Sequence, residues 1–146
     1  MDGRPFSTRL LSFIMNNSNE RIITLEHIKK GDIIFVEAYS QCGSTATITV
    51  EGGLSKPISL AKTTGSCDLT RLEGEHYSAE KTDDSPVQLK ISINTGSKMK
   101  VIKTGTILSD IDGIEKGLQF TFCIEDSTDN DFNDYFITVV AFHKKN

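Results

Sequence analysis

The sequence predicts an all-β fold, an antiparallel β-sandwich, and three observations carry that expectation. Val87–Ile93 alternates cleanly, with Val87, Leu89, Ile91 and Ile93 on one side and Gln88, Lys90, Ser92 and Asn94 on the other. Successive side chains leave a strand on opposite faces, so a period of two marks a half-buried strand. Asp134–Phe142 is apolar on both faces: Phe136, Thr138, Val140 and Phe142 on one, Tyr135, Ile137, Val139 and Ala141 on the other. Such a strand is central or lies at an interface. Turn residues punctuate the chain at Lys30-Gly31-Asp32, Cys42-Gly43-Ser44, Glu51-Gly52-Gly53, Asp83-Asp84-Ser85-Pro86, Asn94-Thr95-Gly96 and Asp112-Gly113. Short strands so closely punctuated read as a sandwich.

The other elements follow in chain order. Phe6, Leu10, Leu11 and Ile14 fall at helical spacing, so 6–16 carries the one hint of a helix. Asp32–Tyr39 is a β-rich apolar run through Ile33, Ile34, Phe35 and Val36. Thr45–Val50 places Ile48 and Val50 on one face. Met99–Ile107 is a further candidate strand with mixed faces. Gly117–Ile124 aligns Leu118, Phe120 and Phe122. Internal repeats and low-complexity stretches are absent.

The whole chain bounds the function. Its 146 residues suit one domain and can bury a core without metal or disulfides. A metal here is therefore expected to be functional. The net charge of −4, with no basic stripe, argues against nucleic-acid binding. Cys42, Cys67 and Cys123 have neither zinc spacing nor the even number of a disulfide framework. A Cys42–Cys67 bridge stays open, and reduced thiols are the plainer expectation. Leu10–Met15 is too short for a signal-peptide core, and no run approaches a membrane span. The expected location is cytoplasmic, and release by a route other than a signal peptide stays open.

Charge is concentrated in one place. Five of the 20 acidic residues, Glu125, Asp126, Asp129, Asp131 and Asp134, sit in the segment EDSTDNDFND. They repel one another unless a cation compensates. Oxygen-rich ligands suit calcium, which takes about 6–8 of them in flexible geometry. The alternation Asp129-x-Asp131-x-Asn133 can turn successive side chains toward a common centre, and Asp134 adds a carboxylate at the start of the next strand. The loop lacks the glycine and closing glutamate of an EF-hand, and its flanks read as strands. The bland alternative is a solvated acidic turn. The density of carboxylates between two apolar strands favours the cation.

EDSTDNDFND followed by YFITVVAF resembles the signature EDGTDNDYND of the LecB-type bacterial lectins, which bind fucose and mannose through calcium. Upstream, Arg21–Leu25 and Asp32–Tyr39 resemble that family's first two strands. The loop is the firm match, and the architecture extends over 21–144. The resemblance implies a sandwich of about nine strands over 21–146, preceded by an N-terminal extension, 1–20. It implies a homodimer or homotetramer and two calcium ions per site. It makes Glu125, Asp129, Asp131, Asn133 and Asp134 calcium ligands, with Asp131 and Asp134 bridging the ions. A backbone carbonyl of the Ser40–Gly43 turn, assigned to Ser40, completes one shell. Asp126 and Thr128 match positions that touch the sugar, as do Asp131, Asp134, Gln41 and Cys42. Vicinal hydroxyls of a fucose- or mannose-type sugar would take open coordination positions and donate to the carboxylates, and charge-assisted bonds of that kind are the strong ones.

Three departures stand out. The family's terminal glycine carboxylate, which reaches a calcium across the dimer, gives way here to His143, Lys144, Lys145 and Asn146. Its serine- and glycine-rich specificity turn becomes Ser40-Gln41-Cys42-Gly43-Ser44. About twenty residues are added in front. Catalysis is not expected. Asp129 and Asp131 could in principle form a glycosidase pair, but metal-bound carboxylates are poor general acids. His27, His76 and His143 read as solitary surface residues, and Lys144-Lys145 as a solvated tail. The alternative function is a calcium-binding structural or self-assembling protein that keeps the lectin fold without binding sugar.

Overall fold

The computed structural model describes residues 19–95, 98–126 and 132–144. The helix expected over 6–16 lies outside them. Ten strands are described: β1 (Glu20–Leu25), β2 (Ile33–Ser40), β3 (Thr45–Glu51), β4 (Ile58–Lys62), β5 (Thr70–Arg71), β6 (Ser78–Glu80), β7 (Val87–Asn94), β8 (Lys100–Ser109), β9 (Glu115–Glu125) and β10 (Tyr135–Phe142). They form two antiparallel sheets, the sandwich expected from the alternation. One sheet runs β1-β7-β3-β4. The other runs β5-β2-β10-β9-β8, with β6 also on the outer edge of β2.

The core is the alternating set. Ile34, Val36 and Ala38 of β2, Ile48 and Val50 of β3, and Leu89, Ile91 and Ile93 of β7 are buried, as are Phe122 and Ile124 of β9. β10 is central, between β2 and β9. Its odd-numbered residues Tyr135, Ile137, Val139 and Ala141 are fully buried, and its even-numbered face looks outward. β8 is an edge strand exposed along most of its length, which explains its mixed pattern in the sequence.

β4, β5 and β6 escape the sequence reading. β5 and β6 are too short to show a period. In β4, Ile58 and Leu60 point inward, but the next inward position is the buried Lys62. Gly52 and Gly53 have φ of 116° and 66°. A Cβ on Gly52 would stand 1.9 Å from the Pro86 carbonyl oxygen, so this turn admits only glycine. All three cysteines are free, so no Cys42–Cys67 bridge forms.

Three strand ends of the larger sheet lie level. Tyr135, the first residue of β10, pairs with Ser40 at the end of β2 and with Ile124 near the end of β9. At the same end, Thr45 begins β3 opposite Asn94 at the close of β7, and Ala46 pairs with Lys62 at the close of β4. The opposite end is closed by His143, whose Nδ1 lies 2.9 Å from Asp32 and whose Nε2 lies 3.0 Å from Glu115. His143 is therefore not solitary, contrary to the sequence reading, and Lys144 pairs with Glu80 at 3.1 Å. Replacing Ile137 by alanine should lower unfolding stability in urea by about 2–5 kcal/mol, because the cavity would open in the middle of β10. A loss well under 1 kcal/mol would contradict its place in the core.

Candidate functional site

The acidic loop joins β9 to β10 at the end where the strands finish level. Of the predicted ligands and sugar contacts, Ser40, Gln41, Cys42, Glu125, Asp126, Asn133 and Asp134 are described. Thr128, Asp129 and Asp131 lie outside the described residues. Glu125 closes β9, Asp126 follows it directly, and Asp134 directly precedes β10, so the strand ends position all three. Asp134 N–H donates to the Ile124 carbonyl at 3.0 Å, and its own carbonyl accepts from Gln41 N–H at 3.0 Å.

The carboxylates are unusually buried. Glu125 is 0% exposed, and Asp126 and Asp134 are each 8% exposed. Each accepts a defined hydrogen bond. Asp126 N–H donates to Asp134 Oδ2 at 2.8 Å. Ser44 Oγ donates to Asp126 Oδ2 at 2.7 Å. Phe132 N–H donates to Glu125 Oε1 at 3.1 Å. Phe132 has φ 55°, a region bulky residues rarely enter, so the loop's return is tightly constrained.

Burial pushes the Asp134 carboxyl up to about 7, against the lowering effect of Asp126 N–H, and the neighbouring Asp126 and Glu125 carboxylates add to the rise. One ligand atom each from Cys42, Asp126 and Asp134 lie within 4.8 Å of one another. A calcium ion bonds oxygen at about 2.3–2.6 Å, so the two carboxylates are spaced to share one. The thiol is a soft group and a poor calcium ligand, so Cys42 is better suited to line the site than to bind the ion. Asp126, matched to a sugar contact in the sequence, thus lies within coordinating distance of the same centre.

The turn after β2 is held by residues that the sequence reading missed. Lys62 Nζ, buried beneath it, donates to Ser40 Oγ at 3.0 Å and to the Cys42 carbonyl. That engages one carbonyl of the turn expected to supply a calcium ligand. Cys42 Sγ lies 3.1 Å from Ser44 Oγ, and Tyr135 Oη donates to the Ser44 carbonyl at 3.0 Å. Burial pushes the Tyr135 hydroxyl up, so it stays protonated and able to donate. Gln41 Nε2 donates to the Asn133 carbonyl at 2.9 Å, tying the exposed rim of the turn to the loop. The signal for Lys62 was present in the sequence, since a lysine in register with Ile58 and Leu60 must be buried or the strand must end.

The same architecture occurs in solved structures. Residues covering 82% of this chain match 93% of a Ralstonia solanacearum high-affinity mannose-binding lectin, at 22% identity and a TM-score of 0.55. A Chromobacterium violaceum lectin solved with α-methyl-fucoside matches over 82% of this chain and 93% of its own, at 15% identity and a TM-score of 0.55. The C-terminal domain of the BC2L-C lectin from Burkholderia cenocepacia matches over 83% and 96%, at 16% identity and a TM-score of 0.57. The chain has the fold of bacterial fucose- and mannose-binding lectins. No protein-family model and no curated protein sequence matches it.

The raised Asp134 carboxyl gives a signed prediction for the ion-free protein. A carboxyl lifted on folding stabilises the fold fully below its ordinary 3.8, and that contribution is lost as pH rises through about 7. Asp134→Asn, neutral throughout, should therefore unfold at a higher temperature than the parent near about pH 8 in a chelator and lose that advantage near about pH 4. No advantage at the higher pH would show that burial does not act on this carboxyl.

Proposed function

We propose that the chain is a calcium-dependent lectin for fucose- or mannose-type sugars and not an enzyme. The observation that carries this reading is the set of buried carboxylates of Glu125, Asp126 and Asp134, which leave Asp134 short of positive charge at the end of a lectin fold. Glu125, Asp129, Asp131, Asn133 and Asp134 would hold the calcium, with Asp131 and Asp134 shared between two ions. Calcium would supply the positive charge and open positions for vicinal hydroxyls. Asp126 and Thr128 would accept hydrogen bonds from the sugar, and the turn of Gln41 and Cys42 would select among sugars. Ser44 would hold the Asp126 carboxylate for that task, since it already donates to it.

Isothermal titration of the calcium-loaded protein with methyl fucoside and methyl mannoside tests this. Saturable heat should appear with one of them, vanish on chelation, and be lost together with calcium binding in Asp131→Ala. An Asp131→Ala protein that bound sugar like the parent would sink the calcium mechanism.

The reading includes a homodimer or homotetramer. Phe35, Phe136 and Phe142 are 43%, 45% and 43% exposed on the outer face of β2 and β10, and the Phe35 and Phe142 rings meet edge-on at 5.8 Å. An exposed aromatic patch of this kind suits the centre of an interface. Sedimentation should give a dimer or larger, and Phe136→Glu should lower the mass. A monomeric parent would remove this part of the reading.

A further inference from the structure

A groove of about 500 Å³ lies on the four-stranded sheet at the same end as the acidic loop. Its lining includes Thr45 and Thr47 of β3, Ser92 and Asn94 of β7, then Thr63 and Thr95. Strand register places Thr45 opposite Asn94 and Thr47 opposite Ser92, so hydroxyl and amide groups form a two-strand array. Ala61 pairs with Thr47 from the other side and keeps the floor low. The volume falls within the usual range for small-ligand sites, about 300–1,000 Å³.

The groove is continuous with the loop. Thr95 Oγ1 donates to the Asp126 carbonyl at 3.0 Å. Asn19 Nδ2 donates to the Thr95 carbonyl at 2.7 Å, which pins the junction. Lys62 also borders the groove, but its ammonium is turned under the Ser40–Ser44 turn. Threonine, serine and asparagine both donate and accept, and so do sugar hydroxyls. None of the six groups is charged. The exposed aromatic patch suited to a second copy lies on the other sheet.

We infer that this groove is an extended subsite for the further residues of an oligosaccharide whose terminal sugar sits at the acidic loop. The inference rests on the lectin reading and names the larger ligand class: chains of neutral sugars in preference to free monosaccharides. Thr47 is exposed in mid-groove, and a tryptophan there would fill the space while suiting a strand.

The test is titration of calcium-loaded parent and Thr47→Trp with methyl mannoside and methyl fucoside, and with linear trisaccharides ending in the same sugars. The parent should bind the preferred trisaccharide about tenfold more tightly than its monosaccharide, the yield of one or two net hydrogen bonds. Thr47→Trp should lose that gain and keep monosaccharide affinity. If this variant fails to fold, the Thr47→Val/Ser92→Ala pair, which removes two hydroxyls at unchanged shape, should reduce the gain several-fold. A parent that binds the monosaccharide but gains nothing from the trisaccharide overturns the subsite and leaves the lectin reading standing. A parent that binds neither overturns both. A folded variant that keeps the gain, or one that changes oligomeric mass in place of affinity, also overturns the subsite.

Discussion

Burial of negative charge is the constraint around which this end of the molecule is organised. β10 lies in register with β2 and β9, so the larger sheet ends flush, and the carboxylates of Glu125, Asp126 and Asp134 stand on the rim of an apolar core. A buried carboxylate in such a place is costly, and hydrogen bonds from Ser44 and two backbone amides offset part of that cost. The elevated Asp134 carboxyl is the measure of what remains. Asp134 is thus held against its ordinary charge, and an ordered turn lies directly beside it.

A cation of the protein's own sits nearby but is spent on the backbone. Lys62 supports the Ser40–Ser44 turn from below through a hydroxyl and a carbonyl. A second buried lysine, Lys81, does similar work elsewhere, donating to the Gly52 and Ser85 carbonyls and lying 3.5 Å from Asp83. In both cases an ammonium collects carbonyls from turns that no strand could satisfy, which is how buried backbone acceptors stay paired outside a ladder. His143 closes the far end in a related way, through two carboxylates.

What the sequence disclosed followed from periodicity and density. The clean alternation of β7 and the two apolar faces of β10 announced a sandwich with β10 inside a sheet, and the crowd of acids announced the loop. Lys62 hid β4 because it breaks the apolar pattern at the position where the pattern is being tested. β8 was blurred because an edge strand has little to bury. Ser44 and Thr95 could not be found this way, since their contacts with Asp126 span 82 and 31 positions of chain and leave no local mark. The acidic loop was legible as chemistry; the groups that hold it in place were legible only as geometry.

The cysteines differ in one way that composition conceals. Cys42 is buried in the turn, while Cys67 is exposed, with its sulfur 3.5 Å from where a side chain on Gly43 would begin. An exposed thiol reacts ahead of a buried one. A dye attached to Cys67 would therefore sit against the Ser40–Ser44 turn, and its emission would report events at the rim directly, giving the molecule an optical readout.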